Sequence, residues 1–298
     1  MENNSRRRAL KFFVTACVIS AMYYFVMENI MPAVEVDGGS SEIMGAPARI
    51  IAVAKNEKKA KRSIKAGFDE LTRINMILSE EPNKVNHEAF GGPVKVSPEL
   101  FEVLQLGIDY CKLSKGAFDI TVADANTHAG YEKLILDANN QTVRFAVEGM
   151  RLDLGGIGKG YAVDKAVEAM KRKGAIGGLV DAGGNIRCFG KPAHKGNWLI
   201  GIQDPNLADS VQRIADSNEP GMVLKLRDMA VVTNLGGVTI IAPRAVVAEV
   251  IASAVNALGA EKGLDLVDSL LGVEAIIVTP GPEGRVIKSN GADAYISQ

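Results

Sequence analysis

Apolar and polar residues are distributed along this chain in several periods, and each period implies a different kind of element. Residues 12–27 run sixteen positions without a charge, directly behind Arg6, Arg7, Arg8 and Lys11. A basic cluster followed by such a run is the pattern of an export signal or a membrane anchor, and residues 30–34 extend it toward the roughly 20 residues that span a bilayer. The basic cluster predicts that residues 6–11 stay in the cytoplasm and that everything after the run lies outside. Further on, Ala48-Arg-Ile-Ile-Ala-Val-Ala54 reads as a strand, and residues 57–78 carry Ile64, Phe68, Leu71, Ile74, Ile77 and Leu78 at helical spacing. Ser97 followed by Pro98 opens a second helix that runs to about Ser114, with Ser as the cap and Pro at the first helical position.

Short apolar runs at 150–154, 178–188, 198–203, 222–227, 238–242 and 275–279 predict strands. Segments 161–173 and 245–258 predict helices that end on Gly174 and Gly259. Strands follow strands as often as they follow helices, which indicates an α+β fold rather than a regular βαβ series. Residues 34–41 are polar and contain a glycine pair, so they read as a linker. The resulting division is a signal or anchor over 1–33, a linker over 34–41 and one folded domain over 42–298.

Composition narrows the function. The 298 residues are 47% hydrophobic and 23% charged, with 34 basic and 35 acidic residues giving a net charge of −1. Without a basic face to neutralise phosphates, nucleic acid is excluded as a partner. Cys17, Cys111 and Cys188 are odd in number and lack zinc-type spacing, so the last two read as small buried residues. Trp198, the sole tryptophan, reads as core. Two further readings apply to the N-terminus. Ser5-Arg-Arg-Arg-Ala-Leu-Lys11 is similar to a twin-arginine export signal, with Ala9 where that pattern usually has Phe. Val14-Thr-Ala-Cys17 fits a lipoprotein cleavage site, although only five residues separate Lys11 from Cys17 and the apolar run continues past it.

The segment Arg151-Leu-Asp-Leu-Gly-Gly-Ile-Gly-Lys-Gly160 joins a predicted strand to a predicted helix and holds four glycines within six positions. Such a turn lets backbone N–H groups approach a bulky anion, with phosphate the natural candidate. It is not a P-loop, because Asp153 stands at the first glycine position and Gly160 where a magnesium-binding Ser or Thr belongs. The alternative is a tight turn that only packs a helix on a sheet; Asp153 and Lys159, suited to a ribityl hydrogen bond and a phosphate, weigh against it. In helix 245–258, Glu249 and Ser253 lie four residues apart and so share one face of an otherwise apolar segment. Hard oxygen donors of this kind suit Mg²⁺ or Ca²⁺. The alternative is that Glu249 pairs with a basic residue and Ser253 bonds back to its own helix.

Several segments, in order, resemble one family, the FAD:protein FMN transferases, often called the ApbE family. Ile43-Met-Gly45 resembles its Met-Gly-Thr motif, with Ala46 for Thr, and Gly116-Ala-Phe-Asp-Ile-Thr121 its Gly-Ala-Phe-Asp-Pro-Thr motif. Residues 152–164 are similar to its run Asp-Leu-Gly-Gly-Ile-Ala-Lys-Gly-Tyr-Ala-Val-Asp, and Val180-Asp-Ala-Gly-Gly-Asn-Ile186 to its Gly-Gly-Asp-Ile strand. Ala248-Glu-Val-Ile-Ala-Ser-Ala254 resembles its Ala-Asp-Ala-Leu-Ala-Thr-Ala helix, with Glu249 for Asp and Ser253 for Thr.

The resemblance implies a single α+β flavin transferase domain behind the N-terminal hydrophobic segment. It implies FAD contacts from Met44, Ala117, Phe118, Asp119, Asp153 and Lys159, and a Mg²⁺ held by the carbonyl of Gly156 with Glu249 and Ser253. The implied reaction transfers FMN from FAD to a Thr or Ser hydroxyl of an exported or membrane redox protein, releasing AMP. The family's His-Ile-Ile-Asp-Pro segment is missing: Val232-Thr-Asn-Leu-Gly-Gly237 runs straight into the strand at 238, and His87, His128 and His194 lie elsewhere. The family's Ser-x-Tyr reads Ser79-Glu-Glu81, and the region after Thr121 is short. A flavin-binding carrier without transfer activity, or an enzyme that hydrolyses FAD to FMN and AMP, is the alternative.

Overall fold

The computed structural model describes residues 33–123, 130–194, 196–202, 222–233, 236–279 and 285–297, together with Thr15, Ile19 and Ser20. The signal or anchor expected over 1–33, with the basic cluster 6–11, most of the uncharged run 12–27 and Cys17, lies almost wholly outside these. Among the described residues no helix is long and apolar enough to cross a membrane.

The first element corrects the linker reading. Residues 34–41 belong to a strand, β1 (Val34–Ile43), paired antiparallel to β2 (Ala46–Ala54). The Gly38-Gly39 pair lies where the register shifts between Asp37 and Ser40, so its linker-like composition marks a bulge inside a ladder. A side chain is barred at Gly38, where a β-carbon would stand 2.5 Å from Cγ2 of Ile64. Met44 and Gly45 close the hairpin with φ of 58° and 68°, the two positive values of a two-residue type I′ turn. A chain beginning at Glu42 is therefore expected to melt at least ~5 °C below one beginning at Ala33, a gap that thermal denaturation monitored by circular dichroism would read.

Six more strands extend this hairpin. They are β3 (Gly177–Ala182), β4 (Asn185–Phe189), β5 (Ala230–Thr233), β6 (Val238–Ala242), β7 (Glu274–Val278) and β8 (Val286–Lys288). Together they form one eight-stranded sheet in chain order with every neighbouring pair antiparallel. The run 178–188, expected as one strand, is two, because Gly183 and Gly184 adopt φ of 59° and 86° and reverse the chain.

One face of the sheet, with Ile50, Ala52, Val180, Ala182, Phe189 and Ala230, packs under helices. These are α1 (Glu57–Glu88), α2 (Pro98–Leu113), α3 (Gly158–Arg172), α4 (Ala245–Leu258) and the short α5 (Ala260–Asp268). The α1 helix continues past residue 78 through Pro82, on a stretch whose polar residues hide the period. Ser97 Oγ accepts from Leu100 N at 3.2 Å, the cap the sequence implies, and Asn56 Oδ1 caps α1 by accepting from Lys59 N at 2.9 Å. The other face carries Leu179, Ile186, Cys188 and Val231 under a two-stranded ribbon, Trp198–Gly201 with Val223–Leu226. Trp198, Cys111 and Cys188 are buried, and burial pushes both thiols up to about 12.

Asp181, in β3, accepts from Gly184 N at 2.9 Å, yet burial pushes its carboxyl up to about 6, against that bond and the charge of Arg49. The folded value lies above the ordinary 3.8, so the fold favours the neutral acid. That stabilisation is complete below about pH 4 and is lost as pH rises through about 6. Asp181→Asn is expected to match the parent near pH 4 and to exceed it by ~1–2 kcal/mol above about pH 6.5, measured by denaturant melts at both values.

Candidate functional site

The glycine segment is a strand-to-helix turn at the edge of an open cavity. Leu152 N donates to Asn86 Oδ1 at 2.7 Å, which pins the incoming strand to α1. Asp153 Oδ1 then accepts from Gly155 N at 2.9 Å, turning the chain into α3, which begins at Gly158. The cavity, about 520 Å³, is bounded by Leu154, Gly155, Gly158 and Lys159 from this turn. Met44 and Gly45 of the β1–β2 hairpin and Asn75, Leu78 and Ser79 of α1 complete it. Its size suits a nucleotide-sized ligand, and Gly158 and Lys159 bring the first turn of a fifteen-residue helix to its wall.

Behind the turn, α3 and α4 approach so closely that glycine is obligatory at Gly160, where a β-carbon would lie 2.5 Å from the carbonyl oxygen of Ala245. That contact lets Gly160 N donate to Glu249 Oε2 at 2.7 Å. One turn further along α4, Ser253 Oγ would stand 2.8 Å from a β-carbon on Gly156, and the Phe118 ring 3.1 Å from it. Ser253 also bonds back to Glu249 O at 3.0 Å, so the helix-capturing alternative and the shared face coexist. Glu249 is 5% exposed and has no basic ion-pair partner among the described residues. Burial accordingly pushes its carboxyl up to about 7, against the Gly160 bond and the charge of Lys159. A buried carboxylate without a counter-ion, a hydroxyl and a glycine beside it are a donor set that fits a small divalent cation.

Asp164 holds this arrangement in register. Its fully buried carboxylate accepts from Ala245 N at 2.9 Å and Val246 N at 3.3 Å, capping α4 from α3. It also pairs with Arg187 of β4 at 2.8 Å and Arg244 at 3.2 Å. Sequence reasoning quoted Asp164 in a motif without giving it a role. The available signal was an acid directly after the apolar run 161–163 of a helix.

Sequence comparison decides the family. The model of the ApbE family matches residues 44–127 and 122–234. The chain belongs to the ApbE family. Among relatives named FAD:protein FMN transferase, the one from Treponema pallidum is 26% identical over 287 residues, covering 73% of this chain and 77% of that protein. The one from Haemophilus influenzae is 25% identical, covering 78% of each. In fold, the crystal structure of the ApbE protein from Thermotoga maritima aligns with a TM-score of 0.73 and 22% identity, over 89% of this chain and all of that one. Pseudomonas stutzeri flavinyl transferase ApbE in its apo form gives 0.72 and 19%, over 89% and 98%.

Within this ApbE domain six of the nine sequence-derived residues fall into two groups. Met44 and Lys159 line the cavity, while Gly156, Glu249 and Ser253 lie together behind it with Phe118 alongside. Asp119 and Asp153 serve their own loops in this state. Asp119 accepts from Thr121 N and Oγ1, both at 2.8 Å, and from Tyr131 N at 3.2 Å. Ala117 is half-buried in the turn that Ser114 caps. Asn75, Leu78 and Ser79 were missed as cavity residues: Leu78 counted only toward the helical period, Ser79 only as the start of Ser79-Glu-Glu81, and Asn75 carried no signal. No histidine among the described residues lines this cavity; His87 borders a separate hollow with Phe90 and Arg151.

Proposed function

We propose that this chain is a FAD:protein FMN transferase that takes FAD as substrate and passes FMN to a Thr or Ser hydroxyl of an exported or membrane redox protein. The observation that carries the reading is the juxtaposition of a nucleotide-sized cavity, edged by the α3 N-terminus, with a wall of buried Glu249 and half-buried Ser253 and Gly156 behind it. In the reaction the acceptor oxygen forms a bond to the FMN phosphorus, the bond from that phosphorus to the AMP oxygen breaks, and the hydroxyl proton leaves. Glu249, Ser253 and the Gly156 carbonyl would hold a Mg²⁺, which supplies charge neutralisation at the pyrophosphate. Lys159 adds a cation at the cavity wall, beside the positive end of the α3 dipole, which favours the phosphates there.

Incubating the full chain with FAD, Mg²⁺ and a peptide bearing an Asp-x-x-Ser/Thr-Gly-Ala acceptor site tests the reading. A covalent yellow-fluorescent adduct with one AMP released per peptide is expected. Bound FAD without adduct would leave the carrier reading, which the missing histidine segment favours, and free AMP without adduct would leave hydrolysis. Lys159→Ala is expected to raise the FAD dissociation constant about tenfold, the loss of one charge-assisted phosphate contact, as read by flavin fluorescence quenching.

The basic cluster at 6–11 and the uncharged run 12–27 support an extracytoplasmic, membrane-tethered location. Digestion of the domain by protease added to spheroplasts is the expected result; protection would refute it.

A further inference from the structure

Asn185 opens β4 and is only 3% exposed. Its amide nitrogen reaches the Ala182 carbonyl at 3.5 Å, and its Oδ1 has no hydrogen-bond partner among the described residues. It alone among the described buried side-chain oxygens and nitrogens stands in that condition. Buried amide oxygens are nearly always satisfied, so such an atom is a candidate for serving something that binds.

The sheet register shows where it points. Along β4, Arg187 and Phe189 face the helices and Ile186 and Cys188 face the ribbon, which by alternation puts Asn185 on the helix face. Arg187 pairs across the sheet with Ala230 and then Ala242, and Arg187 reaches Asp164 where that carboxylate caps α4. Asn185 belongs to the next helix-facing row, with Val232 and then Ile240. One row is about 6.8 Å along a strand, and about 6.8 Å is four to five residues of a helix. Because β6 turns into α4 at Arg244 and α4 returns over the sheet, that step leads from Ala245 to the level of Glu249. Asn185 therefore lies under the seam where Glu249 meets Gly160, with both α3 and α4 in contact with its strand.

We infer that Asn185 is a further member of the divalent-cation site, its Oδ1 accepting a hydrogen bond from the hydration shell of the cation that Glu249, Ser253 and Gly156 hold. Mg²⁺ surrenders its waters reluctantly, and the protons of those it keeps need acceptors. A carboxamide oxygen supplies an acceptor without adding charge to a buried acid. The inference rests on the divalent-cation reading of the site given above.

Three variants of the full chain, Asn185→Leu, Asn185→Asp and Glu249→Gln, test it beside the parent. Thermal melts are recorded in EDTA, and Mn²⁺ binding is followed by the electron paramagnetic resonance signal of free Mn²⁺ at saturating FAD. Asn185→Leu is expected to melt at or above the parent in EDTA, since it removes an unpaired polar atom of similar volume, while binding Mn²⁺ about tenfold more weakly. Asn185→Asp, which keeps the acceptor, is expected to bind Mn²⁺ within threefold of the parent or more tightly. A melting temperature for Asn185→Leu several degrees below the parent in EDTA would make Asn185 structural and overturn the inference, as would unchanged Mn²⁺ affinity in Asn185→Leu. If the parent binds no more Mn²⁺ than Glu249→Gln does, the cation reading itself fails and the inference falls with it; parent binding that Glu249→Gln abolishes and Asn185→Leu leaves intact overturns the inference alone.

Discussion

Glu249→Gln is expected to lower FMN transfer at least ~100-fold, equivalent to ~2.7 kcal/mol of transition-state stabilisation, while leaving the fold intact. The amide keeps the shape of the side chain and an oxygen to accept the Gly160 N–H bond of 2.7 Å, so the α3–α4 seam survives. What disappears is the negative charge, and its companions do not replace it: Ser253 and the Gly156 carbonyl are neutral, Lys159 is positive, and the Asp164 carboxylate is committed to Arg187 and Arg244. Retention of FAD should consequently stop responding to the exchange of Mg²⁺ for EDTA. Gel filtration of the FAD-loaded protein under both conditions checks this directly. A variant that still loses its flavin in EDTA and recovers it in Mg²⁺ would show that the cation sits elsewhere. Glu249→Ala is the harsher test, because it also strands the Gly160 N–H and opens a cavity, so any loss there mixes folding with binding.

Gly160→Ala should be strongly destabilising although it adds a single methyl group. The added carbon would lie 2.5 Å from the Ala245 carbonyl oxygen, 2.6 Å from its carbon and 2.8 Å from the Val246 α-carbon. All three are backbone atoms, and Asp164 ties the adjoining N–H groups of Ala245 and Val246, so no rotamer change relieves the clash. Relief requires α4 to move away from α3, which weakens the Glu249 bond and shifts Ser253 from Gly156. We expect a destabilisation of ~3 kcal/mol, or roughly 6–12 °C in melting temperature, with transfer activity lost as well. Gly158→Ala is the matched control. Its nearest neighbour would be Leu78 Cδ1 at 3.5 Å, an ordinary contact, and the position is already helical, so its melting temperature should stay within ~2 °C of the parent. Equal melting temperatures for the two variants would refute the close-approach argument for Gly160.

These two residues show how unevenly the site was legible. The i, i+4 spacing of Glu249 and Ser253 places them on one helix face from sequence alone, and the α4 boundaries follow from the apolar period and Gly259. That Gly160 donates to one and Gly156 abuts the other depends on residues 89 and 97 positions away. The glycines are visible in the chain as a dense cluster, but density cannot separate a glycine needed for a close helix approach, Gly160, from one with space around it, Gly158. Asp164 is the plainest case: its partners come from β4, Arg244 and the first turn of α4, none of them local.

The opposite error occurred at residues 34–41, where local composition spoke strongly and was overruled. Exposed polar residues around Gly38-Gly39 describe a linker equally well and an edge strand whose outward face meets water. The deciding contacts are the ladder to β2 and the approach of Gly38 to Ile64.

Periodicity, caps and turn residues are properties of neighbours along the chain, and they determined α1 to α4, about half of the strands, the α+β class and the oxygen-bearing face of α4. Steric approach, charge pairing and the burial of an unpartnered oxygen are properties of neighbours in space. Only the tertiary structure could place the turn of residues 155–160 against α4 and cap that helix with Asp164, because each of those contacts forms when α3 and α4 close over the same face of the sheet.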